Sequence, residues 1–403
     1  MNRLKQAPRK RAARIAAVVT VVVCLTYAPI AMTELWPYAR PGAPAIGEWL
    51  LGKAVTPGYV AEALATRIAP YGRSLIPLVV HSVLGGALML LGPVQLLSAV
   101  RRRPRLHRVA GVAFAVTVYA SMAGAALYLL RTAPEDAFGG ASFWIVLATI
   151  LIGTVLSVTF GILAAVRRMP ELHQRWMLLC YGYLMTAPLL RLEWGGLPLL
   201  LPGLPMEEIN RVAIMHLGSI VVFAALLASR ALTRRTTSPQ IKGTWAPTPV
   251  LFLAHLAGAA GIAWITVGLL AEGASGRRLL GGFLIPYVIT YAVMLHRHRA
   301  ATRRGDAWAR EEWRLHLTAL CLAPALSAAL TVPLGMSMSL DRYTALASTV
   351  GIGCGVLAFA ATALLSLRVV HARETARRAS LEPDPQPAPQ PAAPRTEQPA
   401  HAQ

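Results

Sequence analysis

Acidic residues are scarce in this chain: 18 Asp and Glu stand against 39 Lys and Arg, and the four types together make only 14% of the 403 residues. No phosphate-binding glycine loop, His-Glu-x-x-His motif or nucleophile elbow occurs, which removes the common signatures of nucleotide, zinc and acyl-transfer enzymes. No paired acids fall in the middle of an apolar run, which disfavours a proton or ion pump. Cysteine is also sparse. Cys24, Cys180, Cys321 and Cys354 lie far apart inside apolar segments, without metal spacing, and read as reduced, buried, small apolar residues with no assigned role.

What the chain does have is apolar length. Hydrophobic residues make 55% of it, and the charges cluster between long runs, the composition of a membrane protein. A helix needs about 20 apolar residues to cross the hydrocarbon layer, since every backbone amide must be satisfied internally there. Ten runs are expected to cross: Ile15 to Met32, Leu75 to Ala99, Val109 to Leu130, Ser142 to Val166, Trp176 to Trp194, Ile209 to Leu232, Val250 to Ala271, Leu279 to Leu295, Leu315 to Leu340 and Leu346 to Val370. Gly and Pro interrupt the seventh to ninth, so their boundaries are the softest.

The net charge of +21 could suggest a nucleic-acid partner, but a DNA-binding patch belongs on a folded soluble face, and here the charges alternate with the spans. Topology accounts for them better. With the N-terminus inside, most Lys and Arg fall on the cytoplasmic side: Arg3 to Arg14, Arg101 to Arg108, Arg167 to Arg175, Arg230 to Lys242, Arg297 to Arg314 and the tail from Arg368. The excess also favours anionic lipid headgroups. The basic opening and first apolar run resemble a signal peptide, but the run is long and Pro29 spoils the small-residue cleavage site, so a retained anchor is expected. The fold class is therefore all-α, a polytopic transmembrane helix bundle of about ten spans with both ends in the cytoplasm, placed in a bacterial inner membrane.

Along the chain the expected parts are a basic N-terminus (1–14), a six-span core (15–232), a cytoplasmic linker (233–248), a four-span bundle (249–371) and a Pro- and Ala-rich disordered tail (372–403) whose proline run follows Ser380. The outer connection from Thr33 to Ser74, with Trp36, Pro37, Pro41, Pro44, Trp49 and Pro57, should lie on the membrane surface and include a short helix near Gly58 to Ala69. Gln174-Arg175-Trp176-Met177 and Glu312-Trp313-Arg314-Leu315 echo one another, each opening a span after a basic loop.

Polar groups inside a bilayer are costly, so intramembrane histidines are candidates for function. His81 in the second span and His216 in the sixth each lie about seven residues below the outer end, roughly 10 Å inside by helical rise. His107 opens the third span and His173 the fifth, both at the inner boundary. Two histidines at matched depth on neighbouring helices are what six-coordinate haem iron requires, and two such pairs stacked would make a transmembrane electron path. His81, Gly85, Gly92 and Gln95 share one helical stripe, where the glycines would admit a flat ring. Arg191, five turns after His173, falls near the level of His81 and His216, where it could meet a haem propionate or simply Glu193 or Glu207. The plainer readings are interfacial side chains for His107 and His173, and hydrogen bonds across the bundle for His81 and His216. Gly92-Pro93 reads as a kink.

The run His81-(x3)-Gly85-Gly86, Leu91-Gly92-Pro93-Val94-Gln95-Leu96, then Arg101 to Arg108 and Gly111, with His173-Gln174-Arg175-Trp176-Met177 and Leu190-Arg191-Leu192 following, resembles the bacterial membrane family known as domain of unknown function 2306. The resemblance covers Leu75 to Trp194. Its layout is similar to that of two-haem membrane cytochromes, an analogy of histidine placement. Three readings follow. The first is a haem b protein moving electrons between a cytoplasmic or quinol redox donor and an outer acceptor, with His81, His216, His107 and His173 as iron ligands. The second is a permease or lipid-handling protein, with the spans around Pro286, Pro324 and Pro333 lining a cavity. The third is an accessory membrane protein that docks a partner.

Overall fold

The computed structural model describes residues 7–232, 241 and 243–379. The first six residues, positions 233–240 and 242 of the linker, and the tail from 380 lie outside the described residues. Every regular element is helical, and among the described residues nine helices are long and apolar enough to span a membrane.

The first helix, α1 (Ala7–Thr33), is followed by three shorter ones that cap the outer face: α2 (Trp36–Ala39), α3 (Ile46–Ala54) and α4 (Pro57–Arg73). Pro57 at the first turn and Thr56, whose hydroxyl accepts the Tyr59 amide at 3.1 Å, start α4. It is the surface helix expected at Gly58 to Ala69, extended by about one turn at its C-terminal end. The second span is α5 (Leu75–Leu96); a short α6 (Ser98–Arg101) leads to the third span, α7 (Pro104–Arg131), and the fourth, α8 (Gly140–Val166).

The fifth span is interrupted. It runs as α9 (Pro170–Leu184) and α10 (Thr186–Gly196), with Met185 between them. Pro188 lacks the N–H that would meet the Leu184 carbonyl, and its ring crowds that position. Thr186 Oγ1 caps the loosened turn by donating to the Tyr183 carbonyl at 2.6 Å, and the Leu189 amide resumes the helix on Met185 at 3.2 Å. The interruption explains why this span is not among the nine single long helices.

The sixth span, α11 (Met206–Leu232), packs on α9 and α10; of the last four helices, α12 (Thr248–Leu270), α13 (Gly273–Arg303), α14 (Ala307–Met338) and α15 (Arg342–Ala379), it packs on α13 and α15, and α8 packs on α15 as well. The two halves therefore share one helical interface, and α15 continues through 372–379, a segment expected to be disordered. Pro286, Pro324 and Pro333 sit inside unbroken helices, because neighbouring helices and adjusted geometry accommodate proline in spans. Backbones meet directly where α12 crosses α14: a Cβ on Gly258 would stand 2.2 Å from the Cys321 carbonyl oxygen and one on Gly261 2.4 Å from the Ala325 nitrogen.

A buried ion-pair cluster ties the halves together at the inner end. Glu312 of α14, fully buried, pairs with Arg175 of α9 and with Arg230 of α11, the latter at 2.7 Å. The neighbouring Glu311 accepts from Thr244 Oγ1 at 2.5 Å and from the Trp245 amide at 2.7 Å, so it anchors the chain entering α12. The two segments that echo one another in sequence thus meet through Arg175 and Glu312.

Candidate functional site

The expected inner pair is brought together. His107 at the start of α7 and His173 at the start of α9 have ring centres 6.5 Å apart and planes at 81°. His173 Nδ1–H donates to the Gly161 carbonyl at 2.9 Å, which directs its Nε2 away from that helix. Three buried nitrogens at this level have no hydrogen-bond partner: His107 Nδ1, Gln95 Nε2 and Gln174 Nε2. Gln95 approaches Gly111, one turn beyond His107, and Gln174 follows His173 in sequence. Such clustered orphans are unusual in a folded interior.

The expected outer pair is held differently. His81 donates Nδ1–H to the Ser121 carbonyl of α7 at 3.0 Å, while the Ser121 hydroxyl bridges back to the His81 carbonyl at 2.9 Å. His216 has both nitrogens engaged, Nδ1 with the Gly282 carbonyl of α13 at 3.0 Å and Nε2 with the Glu193 carboxylate of α10 at 2.8 Å. In this arrangement His216 has no nitrogen left for a metal, and its contacts and those of His81 lead to different helices. The stripe of α5 does receive a flat ring, but a protein one. Tyr181 lies against Gly92, where a Cβ would be 2.0 Å from its Cε2, and its hydroxyl meets Cys24 Sγ at 2.9 Å.

His81 faces a cavity of about 180 Å³ in the outer half, walled by α1, α5, α7, α8 and α10. Its lining is apolar apart from His81, Ser82, Ser121, Thr154, Thr186, the hydroxyls of Tyr27, Tyr71, Tyr128 and Tyr183, the Trp194 indole and an ion pair between Glu34, just past α1, and Arg191 of α10. Arg191 therefore pairs with neither Glu193 nor Glu207. Its guanidinium also lies 4.1 Å over the Trp194 ring, a cation–π contact. Tyr27, Glu34, Arg191 and Trp194 line a second chamber too, of about 310 Å³, enclosed by α1, α3, α4 and α10. The ion pair is thus the septum between two chambers. At the edge of the second, Leu50 and Leu192 are 42% and 58% exposed on the outside of the bundle. Pro286, Pro324 and Pro333 line neither chamber.

Besides Glu34, two charged residues of the second chamber escaped sequence reasoning. Arg67 is only 2% exposed, and Glu48 of α3 has a buried Oε1 without a partner. The signal for Arg67 was present: Val60, Ala63, Arg67 and Pro70 recur at three- and four-residue spacing, a lone cation on the apolar face of α4. Burial pushes the Glu48 carboxyl up to about 7, with Arg67 pulling it down, Glu34 pushing it further up and Arg191 opposing.

Helices throughout, apolar spans and a charged septum inside the bundle define a polytopic membrane protein with cavities inside its helical bundle. Residues 78–233 match the model of a predicted membrane protein family, DUF2306. No curated protein and no solved structure matches the chain. The matched segment contains His81, His107, His173, Arg191 and His216, whereas Glu34, Glu48 and Arg67 precede it, so the chambers are built jointly by the family segment and the chain's first helices.

Proposed function

We propose that this protein is an amphiphile-handling membrane protein whose outer-half chambers take up a molecule with an apolar body and a polar head. The observation that carries this reading is the pairing of apolar walls with one charged septum. Most of the lining is aliphatic or aromatic, and the polar groups concentrate at Glu34, Arg191, His81 and the tyrosines. That is the pattern of sites that bury a ligand's body and orient its head with a few polar groups. The edge at Leu50 and Leu192 faces the lipid side, giving entry from the bilayer. Lipid, rather than water, is then the reservoir of ligand.

The test is native mass spectrometry of the purified protein in a neutral detergent. Wild type should retain an amphiphile. Gly85→Trp, where no atom lies within 4 Å of the added Cβ and the side chain would enter the first chamber, should cut occupancy at least about tenfold, the effect of losing roughly 1.4 kcal/mol of binding. Equal spectra with no bound mass in either protein would overturn the reading.

A second reading rests on the inner histidines. Imidazoles on opposite sides of one metal ion, each bonded at about 2.0 Å, place their ring centres about 6 Å apart, and the 6.5 Å of His107 and His173 is close to this. The carbonyl held by His173 Nδ1 is the partner a ligating histidine ordinarily has. His107 and His173 would be the residues to hold a haem b, which would supply one-electron redox chemistry at the inner face, and Gln95 and Gln174 would offer donors beside it. The dithionite-reduced minus oxidised spectrum should then show a b-type α-band that is lost in His107→Ala and His173→Ala but kept in His216→Ala. A colourless protein produced with ample haem would sink this second reading.

A further inference from the structure

Arg67 is the only charged residue among the buried positions of α4. Its Nε–H donates to the Ala63 carbonyl at 2.8 Å, one Nη lies 3.6 Å from Met206 Sδ, and the guanidinium stands 4.7 Å over Phe138 and 5.7 Å from Trp194. No carboxylate among the described residues forms an ion pair with it. A buried guanidinium held by a carbonyl, a thioether, the Tyr71 hydroxyl and ring faces carries positive charge with no carboxylate in direct contact, and such charge is costly without a close anion. It lines the second chamber together with Glu48, which faces the same space with an unpartnered oxygen.

Building on the amphiphile reading, we propose that Arg67 is the head-group subsite of the second chamber, binding the phosphate or carboxylate of an anionic amphiphile, and that a proton on Glu48 controls its occupancy. Arg67 lies beside Trp194, so an anion there also meets the Arg191 side of the septum. Protonated Glu48 donates a hydrogen bond to the anion; ionised, it repels the anion and competes for Arg67. The charged and titratable groups facing Glu48 are Glu34 at the end of α1, Tyr38 of α2, Arg67 of α4 and Arg191 of α10. With its carboxyl near 7, Glu48 gains its proton as the pH falls from 8 to 6, so affinity for an anion rises over that window. Ile30, Leu50 and Leu51 supply apolar wall for the attached chain.

The experiment uses the full chain in neutral-detergent micelles and two probes of equal length, a dansyl-labelled dodecyl sulfonate, which stays ionised throughout, and the corresponding uncharged alcohol. Binding is read by energy transfer from tryptophan. The sulfonate should bind at least about tenfold tighter than the alcohol at pH 6. Arg67→Gln should weaken it by about ten- to a hundredfold, the span of a charge-assisted hydrogen bond, while leaving the alcohol unchanged; Arg67→Lys, which keeps the charge, should recover most of the affinity. Wild-type affinity should drop several-fold from pH 6 to 8, and Glu48→Gln should flatten that dependence. Displacement by millimolar inorganic phosphate would support the anion subsite and identify a soluble anion as its source, whereas displacement only by anionic lipid would identify a head group. Equal binding of sulfonate and alcohol, unaltered in Arg67→Gln, overturns the anion subsite but leaves the amphiphile reading standing. If neither probe binds, that underlying reading fails.

Discussion

Glu312→Gln should cost about 3–5 kcal/mol of stability, the range for removing one partner of a buried ion pair. The carboxylate is fully buried and joins two guanidiniums, Arg175 at 7% exposure and Arg230 at 21%. Without it Arg175 keeps only a cation–π contact with Trp308 at 5.6 Å. The loss also has a location. Arg175 opens α9 two residues after His173, Arg230 ends α11, and Glu312 belongs to α14, so the substitution unfastens the last four helices from the family segment at the inner face. The four cysteines are buried and free, so their reaction with a thiol dye during heating reports unfolding without labels. The midpoint should fall by several degrees in Glu312→Gln and less in Glu312→Asp, which retains the charge. A midpoint within one degree of wild type would show that the halves do not depend on this contact.

Arg191→Ala should be the next most damaging change, at about 3 kcal/mol, the low end of the same range because the pair is partly open to the chambers. Glu34 would be left charged at 13% exposure beside Tyr27 and Trp194. The double variant Glu34→Gln with Arg191→Gln removes both charges and should be more stable than Arg191→Ala, since a neutral hydrogen-bonding pair leaves no orphaned ion. The same thiol assay checks this order. It would be refuted if the double variant were as unstable as Arg191→Ala or more so. Loss of the septum also merges the chambers, so both variants should exchange bound amphiphile faster than wild type.

Much of this architecture was legible in the chain. Hydropathy placed the spans because the bilayer demands apolar length, and the arginine clusters oriented them. The inner histidines were legible as neighbours because both open their helices at the same boundary. The outer site was not. His81 and His216 were expected as a pair, yet one bonds to α7 and the other to α10 and α13. Arg191 was placed correctly along its helix, but its partner came from the end of α1, 157 residues away.

The difference is geometric. By itself the sequence located ten apolar spans in order, since these follow from hydrophobic length, but not the interruption of the fifth at Met185 or the continuation of α15 through 372–379. Only the tertiary structure decided which way each helix is turned about its axis and which helices touch, because those depend on close packing among many side chains at once. Gly258 and Gly261 against α14, Tyr181 against Gly92, and Glu312 between two arginines set those rotations. They leave Arg67 and Glu48 facing one chamber, a juxtaposition of α3 and α4 that depth alone does not encode.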